Sequence, residues 1–306
     1  MVYPINHLHY SVMESLSQIE IVRHAINKGL KNNILLEEND NGRRVLSDIS
    51  CDGQVRLSPA FCQFLWNMSY AALIITDTGR ILQELKQIGI DKDMFIKMIQ
   101  GYSSIPEIGF LLSELNAIPA DKMIEVGMEC IEDDDLRPKE INEILEKQDM
   151  TSPFSQRVNS IYMAGVSFVL LHELFHWVRG HFEEKILPID QEKEADNYAF
   201  DEILKTFSRN EAEKKTYALG IMSVLCSFFY LNPQFQNNGT YPYCDERLFA
   251  QYDKLDGKAA DDSCSVIVHF LSLWSKYYRI NKFPTLTGND YNDLKKLRIF
   301  LESYNR

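Results

Sequence analysis

Two histidines and a glutamate stand close together in the segment 170–177, which reads Leu-Leu-His-Glu-Leu-Phe-His-Trp. Residues four apart lie one turn above each other on the same face of a helix, so His172 and His176 can both direct an imidazole nitrogen at one metal ion. Glu173 then lies beside that ion, where a carboxylate can take a proton from a bound water. This spacing is typical of zinc-dependent peptidases.

The alternative is a pair of ordinary core histidines that are satisfied by hydrogen bonds. The surrounding sequence favours a metal, because the stretch from Ile161 to Leu171 has no charged residue and then ends in two histidines and a glutamate. Burying such groups without a partner is unfavourable, and a metal ion is a common way to offset that cost. We therefore interpret His172, Glu173 and His176 as a hydrolytic centre with Zn²⁺ as its cofactor.

A catalytic zinc site needs a third protein ligand, and spacing tests two solutions. In the metzincin pattern H-E-x-x-H-x-x-G-x-x-H, the glycine would fall at Arg179 and the third histidine at Phe182. The chain has Gly180 and His181 instead, so that pattern is out of register. In the gluzincin pattern a second helix supplies a glutamate within E-x-x-x-D, and the segment 191–199 (Gln-Glu-Lys-Glu-Ala-Asp-Asn-Tyr-Ala) contains one.

Helical geometry decides which glutamate of this segment is the ligand. Glu192 shares a face with Ala195, Asp196 and Ala199, whereas Glu194 points away from that face. The two alanines are small enough to let this helix approach the first one closely. Glu192 is therefore the predicted third metal ligand, and Asp196 is placed to accept the free ring N–H of a metal-bound histidine, with His172 favoured.

The elements that must position these residues have clear start and stop signals. The first helix begins with Ser152 as N-cap and Pro153 at its first position, and it extends to about Gly180. Its uncharged surface predicts that it is the core helix of the domain. A second helix follows Pro188 to about Phe207, and an apolar helix over Tyr217–Leu231 is expected to pack against both.

The N-terminal half predicts a helix over Tyr10–Gly29 and a hairpin of two short strands, Arg43–Ile49 and Gln54–Leu57. A further helix starts at Ser58-Pro59 and ends near Thr78-Gly79. The predicted fold class is α+β and predominantly helical, a zincin-like core with a small β-sheet, the HExxH helix and a second glutamate-bearing helix. We expect one peptidase domain over residues 1–306, with a helical part and the sheet in 1–150 and the catalytic part in 151–306.

The net charge and composition exclude some classes of binding partner and indicate a cellular compartment. The 306 residues carry a net charge of −12, and such an acidic surface repels phosphate backbones, so neither nucleic acid nor an anionic membrane is an expected partner. The apolar run Thr216–Leu231 has sixteen residues, short of the roughly 20 that a bilayer crossing needs. Six cysteines without a C-x-x-C pair, and an N-terminus without a secretion signal, favour a reduced cytoplasmic protein.

Several of these motifs together are similar to those of the Lit-type phage-exclusion peptidases, a family of bacterial gluzincins. The likeness is centred on about residues 160–250. The segments that carry it are Pro4-Ile5-x-His7-Leu8, the block 170–176 followed by Gly180-His181, the helix segment Glu192–Asp196, Ala218–Ile221 with Val224–Cys226, and Thr240-Tyr241-Pro242 followed by Glu246-Arg247.

The resemblance implies a cytoplasmic zinc endopeptidase that cuts a protein substrate, translation elongation factor Tu, during phage infection. It carries the metal and base roles over onto His172, Glu173, His176 and Glu192. Where relatives tend to have Thr-His-Pro, this chain has Tyr241, whose hydroxyl can donate a hydrogen bond to the oxyanion of the reaction. Tyr198 and His181 stay open as alternatives for that catalytic role. Because a cytoplasmic endopeptidase needs restraint, an activating peptide is a further expected partner.

Two other interpretations remain at this point. The first is a zinc-binding sensor or interaction protein on an inactive peptidase fold, in which the metal is structural. The intact Glu173 argues against it, because a structural site has no need of a base. The second is a metal-free helical protein.

Overall fold

The computed structural model describes residues 5–31, 33–36, 47–50, 52–105, 119–132, 152–180, 188–231 and 242–304, with isolated positions at 108, 111, 112 and 115. Over these residues the chain is predominantly helical with one small mixed sheet, which confirms the predicted fold class. The strands are β1 (Ile34–Leu36), β2 (Ser47–Ile49) and β3 (Val55–Leu57). The helices are α1 (Ile5–Leu16), α2 (Glu20–Asn27), α3 (Pro59–Leu73), α4 (Gly79–Gln87), α5 (Lys92–Gln100), α6 (Ala120–Glu132), α7 (Pro153–Arg179), α8 (Pro188–Phe207), α9 (Glu211–Leu231), α10 (Cys244–Tyr252), α11 (Gly257–Tyr277) and α12 (Asp290–Tyr304).

Helix α7 is the centre of the fold, and its ends are those that the sequence predicts. The Ser152 hydroxyl accepts a hydrogen bond from the Ser155 N–H, and Pro153 fills the first helical position. At the other end Gly180 adopts a left-handed conformation with φ 67°, and its N–H bonds to the carbonyl of His176. Left-handed backbone of this kind is the usual way for a helix to stop.

Among the described residues, α7 packs mainly against three helices and less extensively against α1, α2 and β2. Helix α3 packs on one side, while α8 and α9 cover others, and α9 also contacts α8 as predicted. The two alanines of α8, Ala195 and Ala199, are completely buried. Their small side chains let α8 lie close beside the HExxH segment.

Helices α7 and α9 approach each other closely. An added Cβ on Gly220 would lie 2.4 Å from the carbonyl oxygen of Ile161 and 2.7 Å from the Cβ of Ala164. The two backbones therefore touch at this crossing, and only glycine fits there.

The small sheet has the strand order β1-β3-β2, with β3 in the middle. Strand β2 pairs antiparallel with β3 (Ser47 opposite Leu57), which agrees with the predicted hairpin over these residues; positions 43–46 of the predicted first strand lie outside the described residues. Strand β1 pairs parallel with β3 and is an addition that the sequence analysis missed. Strand β2 lies at the edge that faces α7.

Two predicted helix boundaries were wrong. The expected helix over Tyr10–Gly29 is two helices, because a tight turn at Ser17 and Gln18 ends α1 and directs the buried Ile19 into the core. Helix α3 does not end near Thr78-Gly79 but continues into α4 through a π-helical turn, Ile74–Thr78. Such turns insert a residue without breaking a helix, and periodicity does not reveal them.

One helix of the described residues, α7, is long and apolar enough by composition to cross a membrane. The structure buries 78% of its most apolar window inside the protein. This burial is typical of the core helix of a soluble protein, since other parts of the chain cover most of the apolar surface of α7.

Candidate active site

Three side chains converge where α7 and α8 face each other. The Nε2 atoms of His172 and His176 are 3.2 Å apart, and the two carboxylate oxygens of Glu192 lie 3.3 Å and 3.4 Å from them. Ligands about 2.0–2.1 Å from a tetrahedral zinc ion are separated by about 3.3 Å. The separation of the two Nε2 atoms, and that of each Nε2 from one Glu192 oxygen, are close to this value, and the three residues form a group that could hold a metal ion.

Asp196 fixes the orientation of His172. Its Oδ1 lies 2.9 Å from Nδ1 of His172, so the other ring nitrogen, Nε2, is the one that faces Glu192 and His176. Burial lowers the pKa of His172, but hydrogen bonds to Asp196 and Glu192 outweigh it and raise the pKa to about 10. Burial also raises the pKa of Glu192, but its bond to His172 and the positive charges of His172, Arg247 and His176 together outweigh this and bring the pKa below its usual value. The site therefore attracts positive charge strongly.

Glu173 lies in the same place but makes a different contact. The hydroxyl of Ser47, on β2, donates a hydrogen bond of 2.8 Å to its Oε1. Burial raises the pKa of Glu173, and the nearby His172 and the Ser47 hydroxyl oppose this without cancelling it. A carboxyl group with a raised pKa is suited to accepting and returning a proton near neutral pH.

Arg247, on α10, is a member of the site to which the sequence analysis gave no role. Its guanidinium group makes two bonds to Asp196, Nε to Oδ2 at 2.6 Å and a terminal nitrogen to Oδ1 at 2.7 Å. A second terminal nitrogen is 3.8 Å from Glu192. The side chain is only 11% exposed, and its cation lies over the ring of Phe228, 4.6 Å from the centroid.

Of the three candidate oxyanion donors, the structure describes only Tyr198. Tyr241 and His181 lie outside the described residues. Tyr198 stacks on Phe175 with ring centroids 4.6 Å apart, and its pKa is raised to about 12 by burial and by the nearby Glu202. Neither Phe175 nor Glu202 is a candidate metal ligand, so we do not place Tyr198 in the site.

A comparison of the chain with protein families identifies the family to which it belongs. The family described as Peptidase U49 matches residues 55–271. The chain belongs to the Peptidase U49 family. No curated protein and no solved structure matches the chain.

Membership in Peptidase U49 makes the protein a peptidase, a hydrolase of peptide bonds. The matched range includes the triad, Glu173, Asp196 and Arg247, while Ser47 precedes it. A sequence signal for Arg247 does exist, since it is the only basic residue between Lys215 and Lys254. An isolated arginine in such a stretch, in a domain with a predicted cluster of carboxylates, is a candidate partner for them.

Proposed function

We propose that this Peptidase U49 protein is a zinc-dependent endopeptidase of the gluzincin type, which hydrolyses a peptide bond in a cytoplasmic protein. The observation that carries the proposal is the convergence of His172, His176 and Glu192, whose ligand atoms lie within 4.8 Å of one another, with the carboxyl group of Glu173 beside them. Among the described residues this group has three ligands, which leaves one tetrahedral position for substrate or water.

A zinc ion bound to these ligands would supply Lewis-acid chemistry, polarising the scissile carbonyl and acidifying a water molecule. Asp196 keeps Nε2 of His172 available as a donor. Glu173 takes one proton from the attacking water and later delivers a proton to the leaving amine, so it ends the cycle as it began. The bond from Ser47 to Oε1 holds the carboxyl group of Glu173 in place for this transfer.

The edge strand β2 is suited to binding an extended peptide. Among the described residues, one side of β2 pairs with β3 and its other side has no strand partner. A free strand edge offers backbone N–H and C=O groups to a peptide chain, and Ser47 on this strand contacts Glu173 directly. A substrate paired with β2 would therefore pass beside the catalytic carboxyl group.

The finer parts of the proposal come from the resemblance to the Lit-type peptidases. They are elongation factor Tu as the substrate, a role in phage exclusion, activation by a peptide, and Tyr241 as the hydrogen-bond donor to the oxyanion. A search for substrates in a bacterial extract tests these parts without presupposing them. New protein N-termini would be compared after treatment with wild-type protein and with a Glu173→Gln variant, with and without phage infection.

The metal content of purified protein tests the site itself. Elemental mass spectrometry is expected to find about one zinc per chain in the wild type and a loss of zinc in both His176→Ala and Glu192→Ala. Zinc that stays bound in Glu192→Ala would mean that the third ligand is another residue. A wild type that holds no metal under any loading condition would overturn the proposal.

Glu173→Gln separates catalysis from metal binding. Glutamine keeps the shape of the side chain but cannot take up a proton, so cleavage is expected to fall by about 10²- to 10⁴-fold while zinc content stays at the wild-type level. Cleavage would be followed with a substrate from the extract experiment. A sensor protein with a structural metal would instead behave identically in both forms, and full cleavage by the variant would remove Glu173 from the mechanism.

A further inference from the structure

Arg247 lies on an element that contributes no metal ligand, yet it contacts two carboxylates of the site. It bridges α10 to α8 through the two bonds to Asp196 and the longer contact to Glu192. The ring of Phe228, on α9, supports the guanidinium from one side at 4.6 Å. Three elements therefore fix the position of this one cation.

The charges around the site explain why a cation belongs there. Glu173, Glu192 and Asp196 bring three carboxyl groups into one buried region, and each of them interacts with His172. Two of the three negative charges would be matched by a divalent metal ion, and Arg247 matches the third. Without Arg247 one buried negative charge would be uncompensated, which is strongly unfavourable in a protein interior.

The two bonds from the Arg247 guanidinium to Asp196, here called the fork, also fix the position of the Asp196 carboxylate. Asp196 holds Nδ1 of His172 at 2.9 Å with the same oxygen, Oδ1, that accepts one bond from Arg247. The other oxygen, Oδ2, bonds to Arg247 at 2.6 Å. The carboxylate plane of Asp196 is thus fixed by two bonds from a planar group, and His172 is oriented through it.

We propose that Arg247 is a positioning residue of the metal site: it holds Asp196 against His172 and balances the charge of the three carboxyl groups around a divalent ion. This inference rests on the proposed metal site. It extends the site to α10 and predicts that metal affinity depends on a side chain that does not touch the metal. Partners of metal-bound histidines change metal affinity by about 10- to 100-fold when they are mutated.

The chain offers a matched control in Arg298, on α12. Its guanidinium forks onto Asp253 with bonds of 2.9 Å and 2.6 Å and lies over the ring of Phe249 at 4.8 Å. This is the same combination of contacts, but it is solvent-exposed. Arg298 lines the same cavity as Asp196 and Arg247, yet it bonds to Asp253 and not to a carboxyl group of the proposed metal site. An effect that Arg247→Met shows and Arg298→Met does not show is therefore specific to the site.

The experiment measures zinc dissociation constants by chelator competition for the wild type, Arg247→Met, Arg247→Lys and Arg298→Met. We expect about a 10- to 100-fold loss of affinity in Arg247→Met. Lysine restores the charge without the fork, so Arg247→Lys should recover part of the affinity. Arg298→Met should bind zinc as the wild type does. The visible spectrum of the Co²⁺ form should change in Arg247→Met and stay constant in Arg298→Met, because it reports on ligand geometry.

Wild-type affinity and an unchanged cobalt spectrum in Arg247→Met would overturn the inference and leave the proposed function in place. A wild type that binds neither zinc nor cobalt would overturn both. Circular dichroism checks the fold of each variant. If Arg247→Met does not fold, a double-mutant cycle of Arg247→Lys with Asp196→Asn decides the matter, since additive effects of the two changes on zinc affinity would contradict the proposed coupling.

Discussion

His9 is a buried histidine outside the proposed metal site, and its protonation should be visible in the stability of the whole protein. Its side chain is 5% exposed, and its Nε2 lies 3.0 Å from the hydroxyl of Tyr162. Burial lowers the pKa of His9 from 6.5 to about 4. In the folded protein the ring therefore stays neutral at pH values where it would be charged in the unfolded chain.

The sign of the effect follows from these two pKa values. Between pH 6.5 and 4 the unfolded state binds the proton more readily, so the free energy of unfolding should fall as pH decreases through this window. At the acidic end of this pH window, His9 lowers the free energy of unfolding by about 3 kcal/mol. We expect a His9→Gln variant, which keeps a hydrogen-bonding group for Tyr162, to lack this component.

Urea unfolding of wild type and His9→Gln at several pH values between 7.5 and 4.5 measures it. The difference between the two curves isolates His9, because the carboxyl groups that titrate in this range are common to both proteins. Two curves that run parallel would show that the ring is already protonated, or equally neutral, in both states.

At the level of single residues, the sequence predicts a site to the extent that it is local. His172, Glu173 and His176 share one helix turn, and Glu192 and Asp196 follow within the next helix, so their spacing alone indicates a common face. Ser47 is 126 positions from Glu173, and Arg247 is 51 positions from Asp196. Their contacts depend on how β2 and α10 pack on α7 and α8, which no periodicity records.

At the level of elements, the sequence predicts a helix boundary where a local signal marks it and misses a boundary that packing determines. Proline and capping residues define the ends of α7 and α8, and the predicted starts at Pro153 and Pro188 agree with the structure. The turn after α1 and the π-helical turn after α3 have no such signal. They arise from packing, for example where Asp77 in the π-helical turn contacts Arg157 and Lys215 from two other helices.

The crossing of α7 and α9 gives a prediction about how tightly these elements pack. In a Gly220→Ala variant the new methyl group would meet the carbonyl oxygen of Ile161 at 2.4 Å, so the helices must move apart. Overpacking of this kind typically lowers the free energy of unfolding by about 1–3 kcal/mol. Equilibrium denaturation in urea measures the change.

Gly79 provides the matched control for this substitution. It is also helical, but it is exposed, and an added Cβ would have no neighbour within 4 Å. Gly79→Ala should therefore raise stability by about 0.5–1 kcal/mol, since alanine favours a helix over glycine. Equal destabilisation by both variants would contradict the close approach of α7 and α9.

At the level of the whole molecule, metal binding should stabilise the fold because the ligands come from two helices. Binding to the native state at 100 times the dissociation constant stabilises a protein by about 2.7 kcal/mol. In a chain of this size that corresponds to roughly 4 °C in Tm. When a chelator is added to the zinc-loaded wild type, differential scanning calorimetry should show a decrease in Tm of this size.

His176→Ala serves as the control for the chelator itself. Because that variant lacks a ligand, its Tm should be the same with and without chelator. A wild-type Tm that does not respond to chelation would mean either that no metal binds or that binding is not linked to folding, and the metal content of the same sample distinguishes these two cases.

The position of Arg247 in the chain affects the order in which the site is completed during synthesis. The ribosome delivers α7 and α8, with all three proposed ligands, before it delivers α10. Arg247 follows Asp196 by 51 residues, which takes about 3–10 s at 5–20 residues per second. During that interval the nascent chain carries the carboxyl groups of the centre without their counter-charge. If Arg247 acts as proposed, the peptidase reaches its full metal affinity only after α10 has left the ribosome, so a newly made chain is delayed in becoming active.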